Sequence, residues 1–278
     1  MRFLIEPVEA RSLDHVLRLA EATHAAGLDG VLLTASETLP APLVVAAAVA
    51  ARVPDTRLAA LVDGGDRHPI QLAEEAAVVD VASGGRVILA VRPAPGREDV
   101  YGEVLDLLRL SFAARPFRFE GRHWTVPAGL DQNVHNPERR VRVTPAPAQA
   151  RLELWVAGGG REQAFPRGLG YLADTSEDDA DLQRAWQDAA TAPASLGAPR
   201  ARREHWTDAP TLLARLRAAR GAWDQDWAAV AAPVEALREI ASVVRPRVQL
   251  DRLPPGLEEF WDETEPWRLA GDTPPAGG

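Results

Sequence analysis

Cysteine is absent from this chain. That absence excludes disulfides, thiolate metal sites and cysteine nucleophiles. A surplus of positive charge is also missing. The formal net charge is −9, whereas phosphate backbones and anionic membrane surfaces are recognised through excess cationic side chains. Nucleic acid and membrane are therefore excluded as main partners. No apolar run approaches the roughly 20 residues needed to cross a bilayer, and the longest, residues 43–51, is the size of a helix core. The opening Arg2-Phe3-Leu4-Ile5 is too short for a secretory core, and no cleavage site follows it, so a soluble cytoplasmic protein is expected. The six histidines show no H-x-x-x-H spacing, and no metal site is expected. G-x-S-x-G is absent, which removes a hydrolase elbow, and so are the G-x-G-x-x-G fingerprint and any repeat of fixed period.

What is present suits one barrel-sized domain. The chain has 278 residues, 46% hydrophobic and 26% charged, a balance able to bury a core. Short apolar runs alternate with amphipathic helical segments, the βαβα pattern of a parallel sheet. Strands are expected over 2–6, 30–34, 57–62, 86–91, 152–157, 170–173 and 227–231. Helices are expected over 12–26, capped by Ser12 and closed by Gly27, and over 42–53, 69–82, 99–113, 178–190, 208–220 and 233–244. Residues 117–126 alternate around Gly121 and read as a β-hairpin inserted after the fourth helix, followed by a polar loop over 131–140. An eighth strand is needed to close a (β/α)8 barrel and must lie between about 195 and 206, an arginine-rich, β-poor stretch expected to be irregular. An open doubly wound sheet is the alternative. Residues 1–250 read as one domain. Residues 251–278, rich in proline, glycine and acid, read as a C-terminal arm, partly packed by Phe260, Trp261 and Trp267 and partly disordered.

Several residues could carry chemistry. Gly158, Gly159 and Gly160 follow a strand and open a helix, so their N–H groups could meet an anion, with Arg161 adding a charge-assisted contact. A plain turn needing positive φ is the competing explanation. Arg92 follows the fourth strand, at the barrel end that lines active sites. It suits a phosphate or carboxylate, or is a solvated loop arginine. Glu6 and Asp63 end the first and third strands at the same mouth and are candidate acid/base groups, although charge at a loop edge is commoner. His68, before Pro69, is either a base or a cap of the third helix. The eight tryptophans read as packing or cleft walls.

Residues 67–92 resemble the bacterial luciferase-like monooxygenases. The resemblance rests on His68-Pro69, Leu72-Ala73-Glu74-Glu75, Asp80 and Ser83-Gly84-Gly85-Arg86. It continues in Phe117-Arg118-Phe119-Glu120-Gly121, residues 144–149, Trp155-Val156-Ala157-Gly158-Gly159 and the helix leading to Arg245-Pro246. It implies a (β/α)8 TIM barrel, usually a dimer, holding FMN or the deazaflavin F420 at the C-terminal mouth. The cofactor ring would lie against Ala60 and Leu61 and its phosphate against Arg92 and the Gly158–Gly159–Gly160 turn. The chain departs from the family at Thr34-Ala35-Ser36-Glu37, where an acidic–histidine pair is common, and at Arg92-Pro93, where a glycine is common. The turn after the fifth strand offers glycine in place of a hydroxyl.

Three functions compete. The first is a flavin- or F420-dependent oxidoreductase of a small organic substrate, with Glu6, Asp63 or His68 as acid or base. The second is a degenerate flavin-binding or partner subunit. The third is a barrel that binds a sugar or carboxylate. The helix over 42–53 is apolar on more than one face, so a homodimer through the second and third helices is expected.

Overall fold

The computed structural model describes residues 1–113, 115–127, 140–190 and 198–251. Eight parallel strands close a barrel in chain order: β1 (Arg2–Glu6), β2 (Gly30–Leu33), β3 (Arg57–Gly64), β4 (Val87–Pro93), β5 (Glu153–Ala157), β6 (Gly170–Ala173), β7 (Arg200–His205) and β8 (Trp227–Ala231). Closure is made by β1 on β8, with Arg2 opposite Trp227 and Glu6 opposite Ala231. The expected (β/α)8 barrel is the observed architecture, and the open sheet is excluded. The loosely placed strand is β7. It pairs in parallel with both neighbours, including five pairs to β8 from Ala201 to His205. That stretch is therefore regular where irregularity was expected.

Helices α1 (Leu13–Ala25), α2 (Pro42–Arg52), α3 (Pro69–Ser83), α4 (Tyr101–Phe112), α5 (Arg161–Ala164), α6 (Asp179–Ala190) and α7 (Ala209–Trp223) follow β1 to β7 in turn. After β8, residues 234–250 run on as one helical segment, past the expected end at 244, through α8 (Leu237–Glu239), a π turn (Ile240–Val244) and α9 (Arg245–Leu250). Local chemistry sets the helix ends. The Ser12 hydroxyl accepts the His15 N–H at 3.2 Å, and Gly84, at φ 69°, turns the chain out of α3 in a conformation that costs a β-carbon.

Alternation along each strand sorts the core into two shells. Leu4, Leu32, Ala59, Leu61, Ile88, Ala90, Trp155, Ala157, Leu172, Ala201, Trp227 and Ala229 form the barrel interior. The intervening residues pack against the helices. The interior is filled, not hollow: the Trp155 and Trp227 rings meet edge-to-face at 5.3 Å, and a β-carbon on Gly170 would collide with the Trp155 indole.

The motif most specific to the resemblance is structural. Asp80 is buried in α3 and accepts the Val87 N–H at 3.3 Å, the Gln149 N–H at 3.0 Å and the Gln149 side-chain amide at 2.7 Å. Arg86 donates to the carbonyls of Ala50, Val53, Thr56 and Ser83. This fork closes the C-terminal end of α2, where helix carbonyls lack partners. The inserted hairpin is short, Phe119–Glu120 against Thr125–Val126, and an isolated bridge joins Phe117 to Val141. It is clasped by Glu103 of α4, which accepts the N–H groups of Arg122, His123 and Trp124. Desolvation pushes the Glu103 carboxyl upward, but these N–H bonds outweigh it and hold it below the ordinary range. The expected polar loop, apart from Arg140, and the C-terminal arm from residue 252 lie outside the described residues.

Candidate functional site at the barrel mouth

Two strands run further than the sequence suggested. Because β3 extends to Gly64 and β4 to Pro93, Asp63 and Arg92 lie within the sheet, not beyond it, and face each other in register. Strand alternation places both on the inner side, above Leu61 and Ala90. They form an ion pair in which Arg92 Nε contacts Asp63 Oδ1 and Nη2 lies 3.5 Å from Oδ2. Both side chains remain in contact with solvent, at 46% and 29% exposure.

The glycine turn sits beside this pair. A β-carbon on Gly158 would meet the Arg92 β-carbon at 4.0 Å, so Arg92 and the turn, 66 residues apart in sequence, are neighbours at one mouth. Gly158 and Gly159 have φ of 49° and 74°, and a β-carbon on Gly159 would meet nothing within 4 Å. Gly160 is the opposite case: a β-carbon there would press on Val156 and on the Tyr101 ring, so glycine is required by packing. Arg161 is held by Glu162 at 3.3 Å and Glu177 at 3.6 Å. Glu177 also accepts the Tyr171 hydroxyl at 2.7 Å. Burial, and then the bond to Glu177 and its charge, push the Tyr171 hydroxyl well above its ordinary pKa.

Glu6 arrives at the mouth already paired. Its carboxylate takes Arg203 Nε at 3.1 Å and Nη2 at 2.7 Å, and Asp174 lies 3.6 Å from the same guanidinium. The Glu6 side chain is only 6% exposed and that of Arg203 24%. Burial works against the Arg203 charge, but Glu6 and Asp174 outweigh it and keep the group firmly protonated. Sequence reasoning missed Arg203 and Asp174. Arg203 lies in a stretch with no apolar period, and Asp174 follows its strand as an ordinary polar loop residue, so neither carried a signal.

His68 is the N-cap of α3. Its Nδ1 accepts the Ile70 N–H at 3.1 Å, and its ring meets Trp124 edge-on at 6.3 Å. An imidazole that accepts through Nδ1 carries its proton on Nε2, so His68 offers the outside a donor and not a base. Leu61 points into the barrel interior. Ala60 is fully buried on the other side, against the helical layer, so only its main chain could meet a ligand at the mouth.

The inner rim thus carries Glu6, Asp63 and Asp174 against Arg92 and Arg203. The chain contains no lysine, so every fixed cationic side chain is a planar, permanently charged guanidinium. Among the described residues no cluster of three or more potential metal ligands occurs, and no helix is long and apolar enough to cross a membrane.

Comparison with known proteins gives the following. The luciferase-like monooxygenase family matches residues 3–242. The monooxygenase RslO1 from Streptomyces bottropensis superposes with a TM-score of 0.70 at 19% identity, covering 89% of this chain and 99% of that one. The oxygenating constituent of 3,6-diketocamphane monooxygenase from Pseudomonas putida, solved in complex with FMN, gives a TM-score of 0.68 at 15% identity, covering 92% and 99%. An F420-dependent secondary alcohol dehydrogenase, solved with an F420–acetone adduct, gives 0.70 at 13%, covering 89% and 99%. No curated protein matches by sequence.

Proposed function

Because the chain belongs to the luciferase-like monooxygenase family, we propose that it is a flavin- or F420-dependent oxidoreductase acting on a small organic substrate. The observation that carries this reading is the half-exposed Arg92 guanidinium beside the open Gly158–Gly159 turn at the C-terminal mouth. FMN and F420 each carry a phosphate. The Arg92 guanidinium is the donor an anionic oxygen needs, and the open side of Gly159 leaves room for one, whereas the Gly158 N–H donates to the Leu172 carbonyl at 3.4 Å and the Gly159 N–H to the Tyr171 hydroxyl. The residues therefore fit the phosphate end of either cofactor. Arg92 would hold that end, Gly158 and Gly159 would leave it room, Gly160 would shape the turn, and Arg161 would add positive potential. Leu61 and the Ala60 main chain would border the ring. When bound, the cofactor supplies hydride or electron transfer, and the protein supplies binding, orientation and exclusion of water.

The chain's own proton chemistry is narrow. Of Glu6, Asp63 and His68, His68 can donate through Nε2, while both carboxylates are engaged by arginines. That engagement favours the second reading, a flavin-binding partner subunit without turnover. One series separates the two. The absorption spectrum of the purified protein and fluorescence titrations with FMN and F420 should show one of them bound. Turnover with the reduced cofactor and small aldehydes or ketones then supports the oxidoreductase. Binding without turnover supports the partner subunit, and binding of neither cofactor overturns both.

We assign a homodimer through α2 and α3. Val44 and Val78 are 69% and 51% exposed and flank a groove floored by Leu43, Ala47 and Val79. An apolar strip of this kind on a helix pair is expected to be covered. The parent should sediment as a dimer, and the Val44→Glu/Val78→Glu variant as a monomer with an unchanged circular dichroism spectrum. A monomeric parent at micromolar concentration would sink the assignment.

A further inference from the structure

We propose that the Arg92–Asp63 pair is an exchange site: a phosphate group seated on the Gly158–Gly159 turn takes the Arg92 guanidinium away from Asp63. The proposal rests on the cofactor reading above and specifies how that site loads.

The mouth holds two arginines on its inner rim, and their surroundings differ. Arg203 is gripped by Glu6 through two good hydrogen bonds, in a pair that is nearly out of water. Removing Arg203 would leave Glu6 buried and unpaired, which is costly, so this pair does not exchange. Arg92 and Asp63 form the solvent-facing pair. Exposed ion pairs of this kind contribute little to stability, because water competes for both partners and screens them. A ligand dianion can therefore displace one carboxylate at small cost.

Direction follows from the neighbours. The side of Arg92 away from Asp63 adjoins Gly158, and at Gly159 the space that a side chain would fill is open. Arg161, the other guanidinium of the turn, is shared by Glu162 and Glu177. With no lysine in the chain, Arg92 is the cation at this turn whose counter-ion is easiest to replace. Once a phosphate holds Arg92, Asp63 faces the mouth without its partner.

The test is a two-by-two set, parent, Asp63→Asn, Arg92→Ala and the double variant, titrated with FMN, with F420 and with riboflavin, which lacks the phosphate. Thermal unfolding in inorganic phosphate is the second readout. Asp63→Asn is expected to tighten FMN about 2–5-fold, the worth of an exposed ion pair, and to leave riboflavin unchanged. Arg92→Ala is expected to weaken FMN at least about 10-fold, as for a lost hydrogen bond to a charged group. The gain from Asp63→Asn should vanish in the Arg92→Ala background, because Asp63 acts through Arg92. Weaker or unchanged FMN binding in Asp63→Asn, or a gain that survives without Arg92, overturns the exchange while leaving the flavin reading standing. If neither FMN nor F420 binds but phosphate raises the melting temperature more in Asp63→Asn than in the parent, the exchange stands and the cofactor reading falls. If phosphate, FMN and F420 are all without effect on parent and variant, both fall.

Discussion

Replacing Trp155 by alanine is expected to cost about 3–5 kcal/mol of stability, the range for a large aromatic removed from a core that cannot collapse. The side chain is fully buried in the middle of the barrel. It stacks edge-on against Trp227 at 5.3 Å, and its Nε1 donates to Glu153 Oε1 at 3.0 Å. Glu153 is itself paired with Arg57. Closed strands on every side hold the walls apart, so the indole volume remains as a void. For a domain of this size each kcal/mol shifts the melting temperature by roughly 2–4 °C, which makes the expected fall easy to read by calorimetry. Urea unfolding gives the free energy directly. A cost below about 1 kcal/mol would mean that the interior relaxes around the gap, against the packing described for a filled barrel. Trp155→Phe, which keeps most of the ring, should cost markedly less.

Arg203→Ala is expected to be nearly as damaging, about 3–5 kcal/mol, for an electrostatic reason. The variant strands the Glu6 carboxylate in a nearly water-free position with no cation to meet it. The double variant Glu6→Gln/Arg203→Met should recover most of the loss, since replacing both members of a buried pair removes the desolvation cost together with the attraction. Stability of the parent, Glu6→Gln, Arg203→Met and the double variant by urea unfolding forms a complete cycle. Additive losses in the double variant would show that the pair is not coupled as the geometry requires. The same proteins report on chemistry. Losing a general acid or base typically costs about 10²–10⁴-fold in rate. A folded Glu6→Gln that turns over like the parent leaves Glu6 as the counter-ion of Arg203 and nothing more.

The architecture of this protein is legible in its residues. Apolar runs of strand length, each followed by an amphipathic helix with a legible start or stop such as Ser12 or Gly84, dictate parallel strands with crossovers. The order Asp80, Ser83-Gly84-Gly85-Arg86 and Gln149 placed the chain near its family. Those signals are local: a period of two or 3.6 and a cap are properties of residues within a turn or two of one another. The glycine turn and Arg92 were visible for the same reason, as punctuation at strand ends. The state of the charges, by contrast, depends on contacts between distant strands and helices. Strand β7 gave no apolar period because its outward Arg202 and Glu204 are satisfied by Asp179 and Arg215 from the helices, and its inward Arg203 by Glu6, 197 positions away. Nor could Asp63 and Arg92 be recognised as partners until β3 and β4 were seen to run two residues beyond their apolar stretches. Hydrophobic burial leaves a periodic trace along the chain. An ion pair across a barrel leaves none, because a charge is stabilised by whichever opposite charge the fold brings within a few ångströms of it.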